Sequence, residues 1–101
     1  MSLAETLAED RRLLVLQSLA EASAYQLNEH VLRRMVTELG HSCPRDVLRA
    51  DLVWLGEHGL LTTAEISTLT EPLWTATLTV AGNEVSKGRP HPGIRRAPPV
   101  A

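Results

Sequence analysis

Phenylalanine is absent, and Tyr25, Trp54 and Trp74 are the only aromatic residues. A core without aromatic bulk must be aliphatic, built from the Leu, Val and Ala that dominate the 44% of hydrophobic residues. Cysteine is nearly absent too: the single Cys43 excludes an internal disulfide and suits a reducing compartment. No apolar run approaches the roughly 18 residues of a membrane span, and the opening MSLAE is not expected to act as a signal peptide. Basic residues are missing from the whole stretch between Leu60 and Leu78.

What is present is enough for one domain, since 101 residues can bury a useful core. The net charge of −2 hides an uneven distribution. From Lys87 onward there are four basic residues and no acid, whereas residues 1–86 hold the other six basic residues and all twelve acids. An acidic body does not cling to DNA through phosphates alone, which requires clustered Lys and Arg.

Leu3 to Ala22 contain neither Gly nor Pro and are rich in helix formers. Leu13, Leu14, Val15 and Leu16 point in four directions on a helical wheel, so this first helix is expected to be covered on more than one side. Leu3, Leu7 and Leu14 share a stripe, which makes them the candidate interface of a homodimer. The following SAYQL, residues 23–27, can be extended. Asn28 is a good N-cap with Glu29 in the first turn, Leu27 and Leu32 have the spacing of a hydrophobic staple, and Gly40 supplies the stop. The spacing predicts a helix of about twelve residues here. Pro44 is placed in the first turn of a third helix, with Leu48, Leu52 and Leu55 inward and Gly59 ending it. Two helices joined by so tight a turn form a helix-turn-helix.

LLTTAEIST and LWTATLT, residues 60–68 and 73–79, read as two strands, with the turn at LTEP. Thr79 can cap a short last helix, VAGNEVSKG. Residues 1–88 are thus one domain, and the proline-rich basic tail 89–101 is expected to be flexible.

Helix, short strand, helix, turn, helix, two-stranded hairpin and short helix is the order of a winged helix-turn-helix domain: mainly α with a small β-hairpin wing. LVWLGEHGLL resembles the end of the recognition helix and the first wing strand of ArsR- and MarR-like regulators, and ATLTVAGNEV resembles the Leu-Thr-x-x-Gly that follows their second wing strand. LAEDRRLLVLQSLAEA followed by YQLNEHVLRRMVTELGH resembles the small winged-helix proteins encoded by Mu-like phages and prophages. The resemblance covers roughly residues 3–88. It implies a dimeric regulator that binds double-stranded DNA in the cytoplasm of a bacterial host, with no enzymatic activity, no cofactor and no membrane partner.

The stretch HSCPRDVLRADLVWLGEHGLL, His41 to Leu61, then holds the candidate reading face. With the leucine stripe inward, Asp46, Ala50 and Val53 point outward. Arg49 is the expected base reader, because an arginine can bond guanine O6 and N7 together. Arg45 can reach a phosphate or a guanine edge, and Ala50 and Val53 can touch thymine methyls. Asp46 would accept from cytosine N4 or orient Arg45 or Arg49, since it lies three residues from the latter. Arg33 and Arg34 on the second helix, and Arg95 and Arg96 in the tail, are the candidate phosphate contacts. Arg11 and Arg12 can pair with Glu9 or Asp10. Trp54 and Trp74 are expected to anchor the wing to the third helix.

The bare wing, carrying Glu65 and Glu71 and no cation, supports a different use of the same fold as a protein-docking module. Other chemistry finds little footing. His41 and Cys43 offer two metal donors where a structural zinc site wants four, the cysteine pair of ArsR-like metal sensors is missing from the third helix, and no nucleophile–base pair has a pocket signature.

Overall fold

The structure is a computed structural model, described over residues 2–98. Its elements follow from local chemistry. Helix α1 (Leu3–Glu21) starts where the Ser2 hydroxyl accepts the Glu5 amide at 3.1 Å. Asn28 likewise accepts the Val31 amide at 3.0 Å and opens α2 (Glu29–Glu38). Helix α3 (Arg45–Glu57) begins one residue after Pro44, which takes the N-cap place rather than the first turn. Strands β2 (Leu61–Ile66) and β3 (Leu73–Leu78) form the wing, and Thr79 caps α4 (Val80–Ser86) through the Gly82 amide at 3.0 Å.

Only part of SAYQL is extended. Ser23–Tyr25 turn through a short 3₁₀ segment, with Ala24 and Tyr25 both at φ 56°, before strand β1 (Gln26–Asn28). That strand is short but positions everything after it. It pairs antiparallel with β3, Leu27 opposite Ala76, and β3 pairs antiparallel with β2, Thr63 opposite Ala76, so the sheet order is β1-β3-β2. The wing is therefore tied at its base to the start of α2.

The core is aliphatic as expected. Leu13, Leu16 and Leu19 of α1, Leu32 and Val36 of α2, and Leu48, Leu52 and Leu55 of α3 are all fully buried and meet Leu61 and Ala76 of the wing base. Helix α4 closes this layer at one close approach. A Cβ on Gly82 would lie 1.9 Å from the Leu60 carbonyl oxygen, so only glycine lets α4 pack there. The winged helix-turn-helix fold is thus present in full.

Leu14 belongs to the buried core of the chain and not to an open stripe with Leu3 and Leu7. It is 9% exposed and lines a depression with Met35, Leu39 and, from the C-terminal segment, Ala97 and Pro98. The all-round apolar level of α1 is satisfied within one chain because that segment crosses it. Leu3 and Leu7 do remain on the surface, 74% and 41% exposed.

The segment itself departs from the expected flexible tail. Ile94 and Ala97 are buried in the core, the Arg95 amide donates to the Glu9 carbonyl at 3.2 Å, and Arg12 donates to the Gly93 carbonyl at 2.8 Å. Prolines forbid a helix or a central strand here but not an extended strap held by side chains. Residues 99–101 lie outside the described residues.

Candidate nucleic-acid interface

The Asn28 cap sets the first residue of α2, Glu29, directly beneath α3 and β3. Its carboxylate is 1% exposed and receives three hydrogen bonds: Nε and a terminal nitrogen of Arg49, both at 2.7 Å, and the Trp74 amide at 2.6 Å. Burial pushes the Glu29 carboxyl up, but the bonds from Arg49 and from the Trp74 amide outweigh it and hold the group below its ordinary value. The same bonds raise Arg49. The guanidinium also lies over the Trp74 ring, 4.5 Å from its centroid, and is within 3.4 Å of the Pro72 carbonyl oxygen.

Arg49 is therefore not a free base reader. A fork spent on a buried carboxylate cannot also grip O6 and N7 of a guanine. Nor does Asp46 orient it: among the described residues Asp46 forms no ion pair and stands exposed beside Ala50 and Val53. The acid that fixes Arg49 comes from α2, and the acid that meets Arg45 comes from the wing, where Glu71 accepts at 2.8 Å.

The other cations divide in the same way. Arg11 grips the buried Asp51 of α3 through two nitrogens, with Arg12 Nε 3.9 Å from the same carboxylate, so neither pairs with Glu9 or Asp10. Hydrogen bonding to Asp51 raises Arg11. Arg95 pairs with Asp10, and Arg96 donates to the Gly88 carbonyl at 2.9 Å. Among the described residues Arg33 and Arg34 have no carboxylate partner. They share an open depression with His30, Thr37, Glu38 and Ser42, and Arg33 Nε is steadied by the Cys43 carbonyl at 2.8 Å.

Trp74 does join the wing to α3, through Arg49. Trp54 does not: it lies between the Arg12 guanidinium, 4.1 Å from its centroid, and the stacked ring of His58, with the C-terminal segment across its edge. Cys43 is buried, which raises its thiol. His41 bonds the Asp10 carboxylate instead of turning toward Cys43, and no group of three or more His, Cys, Asp or Glu among the described residues is placed to hold a metal.

The uncharacterized protein gp26 of Escherichia phage Mu is 35% identical over 98 residues, covering 96% of this chain and 97% of its own. The chain belongs to the gp26 family. An uncharacterized protein of Haemophilus influenzae strain Rd is 36% identical over 99 residues, covering 98% of this chain and 93% of its own, and is a second member. No family model matches the chain. Among solved structures, a candidate transcriptional regulator of Thermoplasma acidophilum, TA0346, superposes with a TM-score of 0.63 at 19% identity, over 73% of this chain and 69% of its own. That likeness shows the winged-helix fold for the gp26 family member described here. Among the described residues no helix is long and apolar enough to cross a membrane.

Two functional acids are not evident from the sequence: Glu29 reads only as a first-turn acid after the Asn28 cap, and Asp51 has no assigned role. A signal existed for the second. Asp51 precedes the core residue Leu52 and follows Leu48 by three, so it lies on the flank of the buried stripe, where a carboxylate needs a partner.

Proposed function

We propose that this gp26-family chain is a winged-helix, ArsR/MarR-like regulator that binds double-stranded DNA, acting as a non-catalytic homodimer in the cytoplasm of a bacterial host. One observation carries this reading. The outer face of α3 is open along Asp46, Ala50 and Val53, with Arg45 at its start held, among the described residues, by one carboxylate of the exposed wing loop. An exposed ion pair is worth about 0–1 kcal/mol, so a phosphate or a guanine edge can take Glu71's place. Arg33 and Arg34 then meet backbone phosphates, Ala50 and Val53 touch thymine methyls, and Asp46 accepts from cytosine N4. Arg49 serves as the brace that sets the angle of α3 against the wing. A second copy joined through Leu3 and Leu7 would place two half-sites about one helical turn apart.

A protein-docking role is the second reading, favoured by Asp46, Glu57, Glu65 and Glu71 exposed around α3 and a wing without a single cation.

The test is fluorescence anisotropy with duplexes from the DNA flanking the gene, at several salt concentrations. Sequence-dependent binding is expected, weakened by Arg45→Ala and tightened by Glu71→Gln. Arg34→Ala should reduce the salt slope by about 0.9, one phosphate contact. A folded protein that binds none of these duplexes at low salt would be a docking module instead.

A further inference from the structure

The C-terminal segment carries the chain's densest positive charge, yet its arginines are turned back onto the body. Arg89 pairs with Glu84, Arg95 with Asp10, and Arg96 is taken up by the Gly88 carbonyl. Carboxylates here occupy the place that phosphates would take. The apolar half of the docking is equally specific. Ile94 and Ala97 are buried in the core, and Gly93, at φ +82°, approaches the six-membered ring of Trp54 so closely that an added Cβ would be 2.6 Å from the indole. Arg12 ties the two surfaces, reaching the Gly93 carbonyl while lying over the same indole. His91 closes the edge against Trp54 and His58.

We propose that residues 89–98 are an autoinhibitory strap, which withholds Arg95 and Arg96 from the DNA that α3 reads and delivers them to phosphates when it lifts. The inference rests on the DNA-binding reading. Its placement follows from three contacts. Trp54 sits on the flank of the outer face of α3, one turn beyond Ala50, so the strap runs beside the reading surface. Asp10, which holds Arg95, also holds His41 in the turn between α2 and α3. Burial pushes the Asp10 carboxyl up, yet its bonds from His41 and Arg95 hold it below the ordinary range. Strap and helix-turn-helix turn thus share one carboxylate, so lifting the strap alters the support of the turn as well as the charge beside α3. For Arg95 the exchange is chemically even, because its guanidinium leaves one oxyanion for another, while Arg96 gives up only a neutral carbonyl. What holds the strap shut is chiefly the burial of Ile94 and Ala97 and the fit of Gly93.

Two charge-neutral variants of the full chain test this. Gly93→Val cannot lie on Trp54, and Ile94→Ala loses apolar burial. Trypsin cleavage after Arg95 and Arg96, measured without DNA, reports lifting, and circular dichroism melts verify that each variant is folded. Duplex anisotropy across salt then reports the outcome. Faster cleavage together with a salt slope steeper by about 1.8, two phosphates at 0.9 each, is expected for a folded variant. Faster cleavage with an unchanged slope would overturn the strap while leaving α3 as a reader. Cleavage as fast in the wild type as in both variants would overturn it too, because the segment would not be docked. Absence of duplex binding by every form would overturn it together with the DNA-binding reading itself.

Discussion

Glu29, the first residue of α2, holds Arg49 of α3 through two parallel bonds of 2.7 Å. With the Trp74 amide on the same carboxylate, one buried side chain fixes the three elements that bound the reading surface: α2, α3 and the wing. This contact fixes the angle between helix and wing together with the burial of Leu61 and Ala76 against the α3 leucines, since the wing loop itself is exposed.

Glu29→Gln should therefore loosen the wing more than it alters the core. The amide keeps an acceptor for Trp74 but loses the charge that Arg49 faces. Hydrogen bonds to charged groups contribute about 1.5–3 kcal/mol, which in a domain of this size lowers Tm by on the order of 10 °C. Thermal melts give the stability change. Amide exchange should localise it, with protection lost first along β3; uniform loss throughout the core would contradict the bracing role.

The same carboxyl makes the fold sensitive to acid. Its pKa is depressed in the folded state, as is that of Asp10. A depressed carboxyl contributes stability that is fully present above its unfolded value and is lost as pH falls through the folded one. In that window the unfolded chain binds more protons, so stability must fall with falling pH. Denaturant midpoints should be flat from neutrality down to about pH 5 and then decline, with Glu and Asp titrating ordinarily near 4.3 and 3.9. Glu29→Gln should flatten part of that decline; a variant declining as steeply as the wild type would mean that Glu29 is not a source of it.

These contacts mark the boundary of what the residues disclose. The stripes Leu32–Val36 and Leu48–Leu52–Leu55, the Asn28 and Thr79 caps and the alternating Trp74, Ala76 and Leu78 each answer to a local period or a local bond, and all stand where their spacing puts them. Pairings across the chain have no such local signature. Arg49 with Glu29, Arg45 with Glu71, Arg11 with Asp51 and Arg95 with Asp10 join residues 20, 26, 40 and 85 positions apart. Reading Arg49 from α3 alone left it free because its partner lies on another helix. The tail misled for a related reason: its prolines forbid regular structure, which is not the same as forbidding contact.

A different prediction concerns the seam between α4 and the wing base. Gly82 leaves no room for a methyl group against the Leu60 carbonyl, and Leu60 also accepts the Thr79 amide at 3.2 Å, so the backbone there cannot yield alone. In an exposed helix alanine would stabilise relative to glycine. Here Gly82→Ala should destabilise instead, by about 1–3 kcal/mol as for other overpacked sites. A melting temperature equal to or above that of the wild type would show that α4 can shift away from the wing.

The first helix offers the last. Leu3 and Leu7 lie one turn apart on a stretch of α1 whose residues 2–7 are all exposed, so both leucines keep apolar surface in water, Leu3 more than Leu7. If they mediate a homodimer, each leucine removed from water contributes on the order of 1.5–3 kcal/mol, and replacing both in Leu3→Ser/Leu7→Ser should convert dimers to monomers without lowering the monomer's own stability. Leu14→Ala should do the reverse, lowering stability by about 2–5 kcal/mol through a cavity beneath the strap while leaving the association constant in place. Sedimentation velocity over a concentration series separates the two effects. A wild-type chain that stays monomeric at every concentration would end the proposed dimer, and with it the expectation of paired half-sites.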